Sequence, residues 1–317
     1  MGEYTGIAWC DSTFNPWHGC SKVSAGCEHC FALRDASRWG QAALWGPERL
    51  RRHFGDAHWH EPELWDRRAA RDGIRRRVFC GSMCDWLEYN DADSQVEADR
   101  ERLLNLVEKT MNLDWLLLTK RPEHLISLAW SVPTLYWPRN AWFGVTIENQ
   151  DRADALMPNV LTFARQAPIL FVSAEPLLGP LHLDDGINRW YSCMEAGKHD
   201  LDSDCCETYA NTGDRHFLGV DWVICGGESG PDARPMHPDW VRSLRDNTKA
   251  ASVPFFFKQW GEWLPEDQLR FDPQVRTEAV HEWPDGRRSY RVGRKAAGDL
   301  LDGVQWREFP MPRPRGR

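Results

Sequence analysis

Seven short apolar segments, each followed by polar residues, limit the architecture of this chain more than any other feature. They run Thr5 to Trp9, Val78 to Ser82, Trp115 to Thr119, Trp142 to Thr146, Ile169 to Ser173, Trp222 to Gly226 and Pro254 to Lys258. Between most of them lie stretches with helical spacing: Ser94 to Met111, Glu123 to Ala129, Asp151 to Ala167 and Pro238 to Ala251. Strand, helix, strand repeated in this way implies a parallel sheet. So many units favour a closed or nearly closed α/β barrel over an open doubly wound sheet. No glycine-rich dinucleotide fingerprint follows the first segment, which also counts against the open alternative. The 317 residues suffice for one such barrel.

The repeat has two excursions, 31–77 and 181–217, so the expected organisation is a barrel over 1–263 and a C-terminal extension over 264–317. That extension is rich in charge and proline and ends in Pro310-Met311-Pro312-Arg313-Pro314-Arg315-Gly316-Arg317, which reads as a mobile tail. The second excursion holds Cys193, His199, Cys205, Cys206 and His216. The adjacent Cys205-Cys206 pair is poor ligand spacing, so metal binding there stays open.

Hydrophobic residues at 42% and charged residues at 27% describe a soluble globular protein. No apolar run is long enough to cross a bilayer, and no basic stretch precedes an apolar one at the N-terminus. The expected compartment is the cytoplasm, where ten cysteines point to ligation or burial and not to a disulfide framework. With 39 basic against 47 acidic residues the net charge is −8, which excludes a globally basic nucleic-acid binder. Locally, though, Arg67, Arg68, Arg71, Arg75, Arg76 and Arg77 crowd one segment. Arg49, Arg51, Arg52 and His53 precede it, with Trp39, Trp45 and Trp59 interleaved. That mixture suits phosphate contacts and base stacking, and equally a solvated helix face. The 18 tryptophans exceed the needs of a core, and some are expected to line a ligand surface.

Cys20, Cys27 and Cys30 form a C-x6-C-x2-C loop after the first apolar segment. Three thiolates can hold three irons of a four-iron cluster and leave the fourth open to a small molecule. A structural zinc site wants four protein ligands, and His18 or His29 could supply the last. Ordinary core cysteines are the third reading, and the spacing leaves all three open. Cys80, Cys84 and Cys225 fit a core or its rim.

In a parallel barrel, functional groups gather at the C-terminal ends of the strands. Here those ends carry Ser82 with Asp85, Thr119-Lys120-Arg121, Thr146 with Glu148-Asn149, and Ser173 with Glu175-Pro176. The last two carry Gly226-Gly227-Glu228-Ser229-Gly230 and Lys258-Gln259-Trp260. The cysteine loop lies at the same mouth. A plain Lys120–Glu148 salt bridge and a tight glycine turn are the unremarkable alternatives for two of these.

Several of these stretches, taken together, resemble the phage-encoded three-Cys-motif family, a domain of unknown function. They are Thr5-Gly6-Ile7-Ala8-Trp9, the Asn15-Pro16 step before Gly19-Cys20, the cysteine loop, Leu118-Thr119-Lys120-Arg121-Pro122 and Gly144-Val145-Thr146-Ile147-Glu148-Asn149. Ser173-Ala174-Glu175-Pro176-Leu177-Leu178-Gly179-Pro180, the Gly226 to Gly230 turn, Phe255 to Gly261 and Lys295 to Gly303 complete the set. The family is similar to radical S-adenosylmethionine (SAM) enzymes, spore photoproduct lyase among them. The resemblance implies a radical-SAM-type partial TIM barrel with Cys20, Cys27 and Cys30 as ligands of a [4Fe-4S] cluster. SAM would chelate the open iron, and an electron donor would drive its cleavage to a 5′-deoxyadenosyl radical. The superfamily spacing is C-x3-C-x2-C, and this chain departs from it in the first gap; His29 stands where an aromatic residue is usual.

Carried over by position, Ser82, Thr146, Glu148, Ser173 and Glu175 are candidates for the ribose, amino and carboxylate groups of SAM. Lys120 would meet the carboxylate. Gly226 and Gly227 are further cofactor contacts, and Glu228 and Lys258 are the candidate catalytic residues. The implied substrate is a nucleobase, free or in DNA, as in phage-type DNA hypermodification, with the Arg67 to Arg77 group on the phosphates. Two other readings remain: a non-catalytic zinc- or cluster-stabilised module binding nucleic acid or a partner, and a photoproduct-lyase-like repair enzyme.

Overall fold

The computed structural model describes residues 2–125, 137–163, 167–183, 220–269, 277 and 279–311. Seven parallel strands form its main sheet: β1 (Ser12–Phe14), β4 (Arg76–Cys80), β5 (Leu113–Thr119), β6 (Ala141–Thr146), β7 (Leu170–Ala174), β8 (Trp222–Gly226) and β9 (Phe255–Gln259). They pair in that order, each with the next, from Ser12 opposite Val78 to Gly226 opposite Gln259. No pairing joins β9 back to β1 among the described residues, so the sheet is a partial barrel.

Five longer helices accompany it: α1 (Phe31–Arg38), α2 (Asp56–Asp72), α3 (Gln95–Lys109), α4 (Gln150–Phe163) and α5 (Pro238–Ala250). Their local causes are readable. In α2 the buried residues Trp59, Pro62, Trp65 and Ala69 recur every three to four positions, so one face meets the sheet. Gly73, at φ +65°, then ends the helix in a conformation that costs glycine little. His237 caps α5 by accepting from the Asp239 amide, and Pro238 opens the helix, where a missing N–H costs nothing.

The strands are apolar on both faces because both are covered. Outward residues such as Trp115, Phe143, Val172, Cys225 and Phe257 join the helices in the large core. Inward residues Phe79, Leu116, Trp142, Phe171, Trp222, Ile224 and Phe256 form a second cluster with Trp9. Trp222 lies edge-on to Trp9, Trp142 and Phe256 at centroid separations of 6.0 to 6.5 Å. Gly144 faces this cluster, and a Cβ there would fall 2.1 Å from the Phe171 ring.

Six of the seven expected strands lie within two residues of their expected positions. The first does not. Thr5 to Trp9 forms no strand; β1 begins at Ser12, and Trp9 instead packs against Phe79, 4.6 Å between centroids. Its apolar character serves the barrel interior, not a ladder. The 31–77 segment is likewise not a mere excursion. It carries α1, then β3 (Arg52–His53), which pairs with β2 (Trp17–His18), and then α2, the crossover from β1 to β4. Part of the expected Glu123 to Ala129 helix and all of Cys193, His199, Cys205, Cys206 and His216 lie outside the described residues.

After β9 the chain forms an antiparallel sheet of β10 (Trp263–Pro265), β12 (Arg288–Arg291) and β11 (Ala279–Glu282), followed by the short α6 (Arg294–Ala297). Strand β10 runs across the expected 263/264 boundary, and Leu264, Ala297 and Leu301 belong to the main core. The chain then returns to the sheet. Arg307 bridges to Phe256, and the Phe309 ring sits 5.5 Å from Trp222 and 5.4 Å from Phe256 at the base of the barrel. Residues 312–317 of the expected tail are outside the description.

Candidate active site

A cavity of about 200 Å³ opens at the C-terminal ends of the strands. Cys20, Cys27 and Cys30 border it, together with Ser82, Lys120, Thr146, Ser173, Glu175, Gly227, Glu228 and Lys258. Its floor is apolar, with Ile7, Trp9, Phe79 and Leu118. Three loop thiols and residues from the ends of six strands thus converge from positions far apart in the chain.

The loop starts from Gly19, at φ +116°, where a Cβ would stand 2.5 Å from the Leu44 carbonyl oxygen. Cys20 follows, then a single 3-10 turn over Ala25–Cys27, and Cys30 precedes the first residue of α1. The N-terminal end of that helix, with its exposed N–H groups, favours negative charge beside Cys30.

Beneath Cys20 lies a buried ion network. Arg121 Nη1 donates to Asp85 (2.9 Å) and approaches Cys20 Sγ at 3.6 Å, while Nη2 donates to the Ser21 carbonyl (2.7 Å) and hydroxyl (2.8 Å). Glu88 accepts from the Ser21 amide (2.9 Å) and from Arg51 at 2.9 and 3.0 Å. Burial alone would raise Asp85, but Arg121, the Thr119 hydroxyl and two backbone amides hold its carboxyl below the usual range. Burial pushes the Cys20 thiol up to about 12, with Arg121 pulling the other way. As the protein stands, Cys20 is therefore a neutral thiol beside a guanidinium that would offset a thiolate if a metal displaced its proton.

The remaining expected residues divide. Lys120 Nζ donates to Thr146 Oγ1 at 3.2 Å and has no carboxylate partner among the described residues. Lys258 Nζ pairs with Glu175 Oε1 at 2.9 Å, and Ser173 Oγ donates to Glu175 Oε2 at 3.3 Å. Ser82 accepts from the Asn15 side chain, which also ties down the Met83 amide.

Glu148 is not a wall residue. It is 1% exposed beneath the cysteine loop, accepts from the Ser24 hydroxyl and faces Arg152 at 3.6 Å, so no Lys120–Glu148 bridge forms. A Cβ on Gly26 would strike Glu148 Oε1 at 2.5 Å, so the loop can lie this close only with glycine there. Gly226 does not border the cavity; a Cβ there would sit 3.0 Å from Glu175 Oε1. Gly227 is required by packing, since a Cβ would meet the Trp260 carbonyl oxygen at 1.9 Å. Glu228 borders the cavity but is fully engaged, taking bonds from Arg234 and from His29 Nδ1 (3.0 Å). Burial would raise it, yet those partners hold it below the ordinary carboxylate range, which is unsuited to a proton donor.

Of the two histidines considered as a fourth ligand, His29 borders the cavity and His18 does not. His18 lies in β2, where burial and nearby Arg52 pull it down to about 4. Cys84 also reaches the cavity, but its thiol faces Asn15 Oδ1 (3.7 Å) and packs with Trp17 and Val96; Cys80 and Cys225 are fully buried.

The arginine-rich segment is not at this mouth. Arg67, Arg68 and Arg71 lie towards the end of α2, and Arg75, Arg76 and Arg77 at the start of β4, at the opposite end of the sheet. Arg68 and Arg76 pair with Glu3, Arg71 with Asp72, Arg75 with Asp114 and Arg77 with Asp11; Arg67 is exposed. Arg51 is 5% exposed and held by Glu88, so it cannot grip a phosphate. Nor do tryptophans form the cavity wall. Among the described residues only Trp9 and Trp45 border it, and most of the others fill cores. The ion network and Arg234 escaped the sequence reading because a buried pair leaves no local pattern; the Arg51 partner lies 37 residues away.

No curated protein and no solved structure matches the chain. A family model does match, over residues 4–310, and the chain belongs to that family, DUF5131, described as a protein of unknown function.

Proposed function

We propose that the protein is an enzyme in which Cys20, Cys27 and Cys30 hold a [4Fe-4S] cluster at the mouth of the partial barrel, with SAM as its co-substrate. The observation that carries this reading is the shared cavity: the three loop cysteines border the same space as Lys120, Thr146, Ser173, Glu175 and Lys258. Three loop cysteines bordering one cavity match the three-thiolate donor set of a four-iron cluster with one iron left open.

Bound together, a cluster with one open iron and SAM supply one-electron cleavage and hydrogen-atom abstraction, given an external electron donor. The chain's own part is placement. Lys120, whose ammonium has only a hydroxyl for a partner among the described residues, suits a carboxylate, and Glu175 suits an ammonium or ribose hydroxyl while Lys258 steadies it. Trp9, Phe79 and Leu118 offer an apolar floor to a ring, which supports a nucleobase as substrate. Lys258 is the remaining catalytic candidate; Glu228 is a positioning group.

Anaerobic purification and reconstitution test this directly. The expected protein is brown, carries about four irons per chain, changes its electron paramagnetic resonance signal on adding SAM, and forms 5′-deoxyadenosine under strong reduction. A colourless, zinc-loaded chain that leaves SAM intact, with nucleosides or with DNA, overturns the proposal.

A further inference from the structure

We infer that Arg234 is a positioning residue for Cys27 and Cys30, an inference that rests on the cluster reading above. The cysteine loop has two arms with separate anchors. The Cys20 arm is held by Arg121 through both polar atoms of Ser21 that accept from it. No hydrogen bond among the described residues ties the Cys27–Cys30 arm to that network. Glu148 supports its start through the Ser24 hydroxyl, and Arg34 ties α1 to the Ser229 carbonyl. Between them, the stretch from Ala25 to His29 is held by Arg234, which follows the β8 turn.

The Arg234 guanidinium faces the loop and the strand end at once. Nη1 donates to Glu28 Oε2 at 2.9 Å and Nη2 to the Ala25 carbonyl at 2.8 Å. On its other side, Nε and Nη2 form a fork on Glu228 at 3.0 and 2.7 Å, and the Arg234 amide adds a further bond at 2.8 Å. Glu228 in turn faces His29 Nδ1 at 3.0 Å. Ala25, Glu28 and His29 lie on either side of Cys27 and just before Cys30. One planar cation therefore addresses three points of this arm, two directly and one through a carboxylate that is 5% exposed. Lysine has the charge but not the fork, and could serve only some of these acceptors.

This arrangement separates two properties. Arg121 sits in a buried network whose loss threatens the fold, whereas Arg234 is 29% exposed and holds a surface loop against a strand end. Its removal should loosen two of the three sulfurs and leave the third in place. Unequal freedom among three ligands would show in cluster retention and in midpoint potential.

The test uses the full chain, first free of metal. Thiol alkylation followed by mass spectrometry reports each cysteine separately. In Arg234→Gln, Cys27 and Cys30 should react about tenfold faster or more, as expected when charge-assisted bonds closing a local segment are lost, with Cys20 unchanged. Arg234→Lys should fall between the two. Glu28→Gln removes one exposed arm only, so it tests the same point should Arg234→Gln fold poorly, and should give a smaller rise at the same two cysteines. After reconstitution, Arg234→Gln should hold less iron and show a shifted potential. Unchanged alkylation at Cys27 and Cys30 in Arg234→Gln and Glu28→Gln overturns the inference, as does an equal rise at all three cysteines. Failure of the wild-type chain to bind iron would instead strike the cluster reading, which alkylation of the metal-free protein does not depend on.

Discussion

The inward face of the sheet changes character along several of its strands. Near the base, β6, β7 and β9 present Trp142, Phe171 and Phe256; two to four residues on, the same face presents Thr146, Ser173 and Lys258. Because side chains alternate with a period of two, one strand can carry a packed plug at one end and polar groups at the other. The base is closed by rings and by Phe309; the mouth is ringed with hydroxyls, amines, carboxylates and thiols. Close packing and polar groups are thus divided along the barrel axis, as in complete parallel barrels.

Four substitutions can break or sharpen that division. Trp222→Ala should cost about 3–5 kcal/mol in chemical denaturation, through the void it leaves among Trp9, Trp142 and Phe256. On the proposed reading the chains that remain folded should still take up iron, and a loss below about 1 kcal/mol would mean the base is not close-packed. Arg121→Gln challenges the division from the other side, because it strands the Asp85 carboxylate in a buried site. A cost of about 3–5 kcal/mol is expected, partly recovered in the double variant with Asp85→Asn. Gly144→Ala forces a methyl into the Phe171 ring and should cost about 1–3 kcal/mol, by the same denaturation measurement. Lys120→Met should move stability by no more than about 0.5 kcal/mol. If SAM is the co-substrate, as proposed, the substitution should weaken its binding about tenfold in calorimetry, the loss of one charge-assisted bond. A stability loss as large as that of Gly144→Ala would make Lys120 part of the scaffold.

Much of this fold could be read before any coordinates. The β8 segment, Trp222 to Gly226, is apolar on both faces and bounded by polar residues, and its expected and observed limits coincide. Thr5 to Trp9 has similar composition and misled for that reason: an apolar run says that it will be buried, not whether it will pair. The mouth was legible as a ring of polar strand ends, since topology alone brings them together. Individual roles were not. Glu148 and Glu175 stand in equivalent places in their motifs, yet one supports the loop from beneath and the other faces the cavity. What separates them is the close approach of Gly26 to the Glu148 side chain, a property of packing. The arginines mislead in the same way, since Glu3, Asp11 and Asp114 claim charges that a linear reading leaves free.

The split anchoring of the cysteine loop bears on the order of events in maturation. Ser21 is fastened by a residue just past β5, and Ala25 and Glu28 by one just past β8. Until both of those strands have joined the sheet, the three sulfurs share no fixed frame. On the cluster reading proposed above, loading would be a finishing step on an already folded chain, the reverse of small zinc modules whose folding awaits the ion.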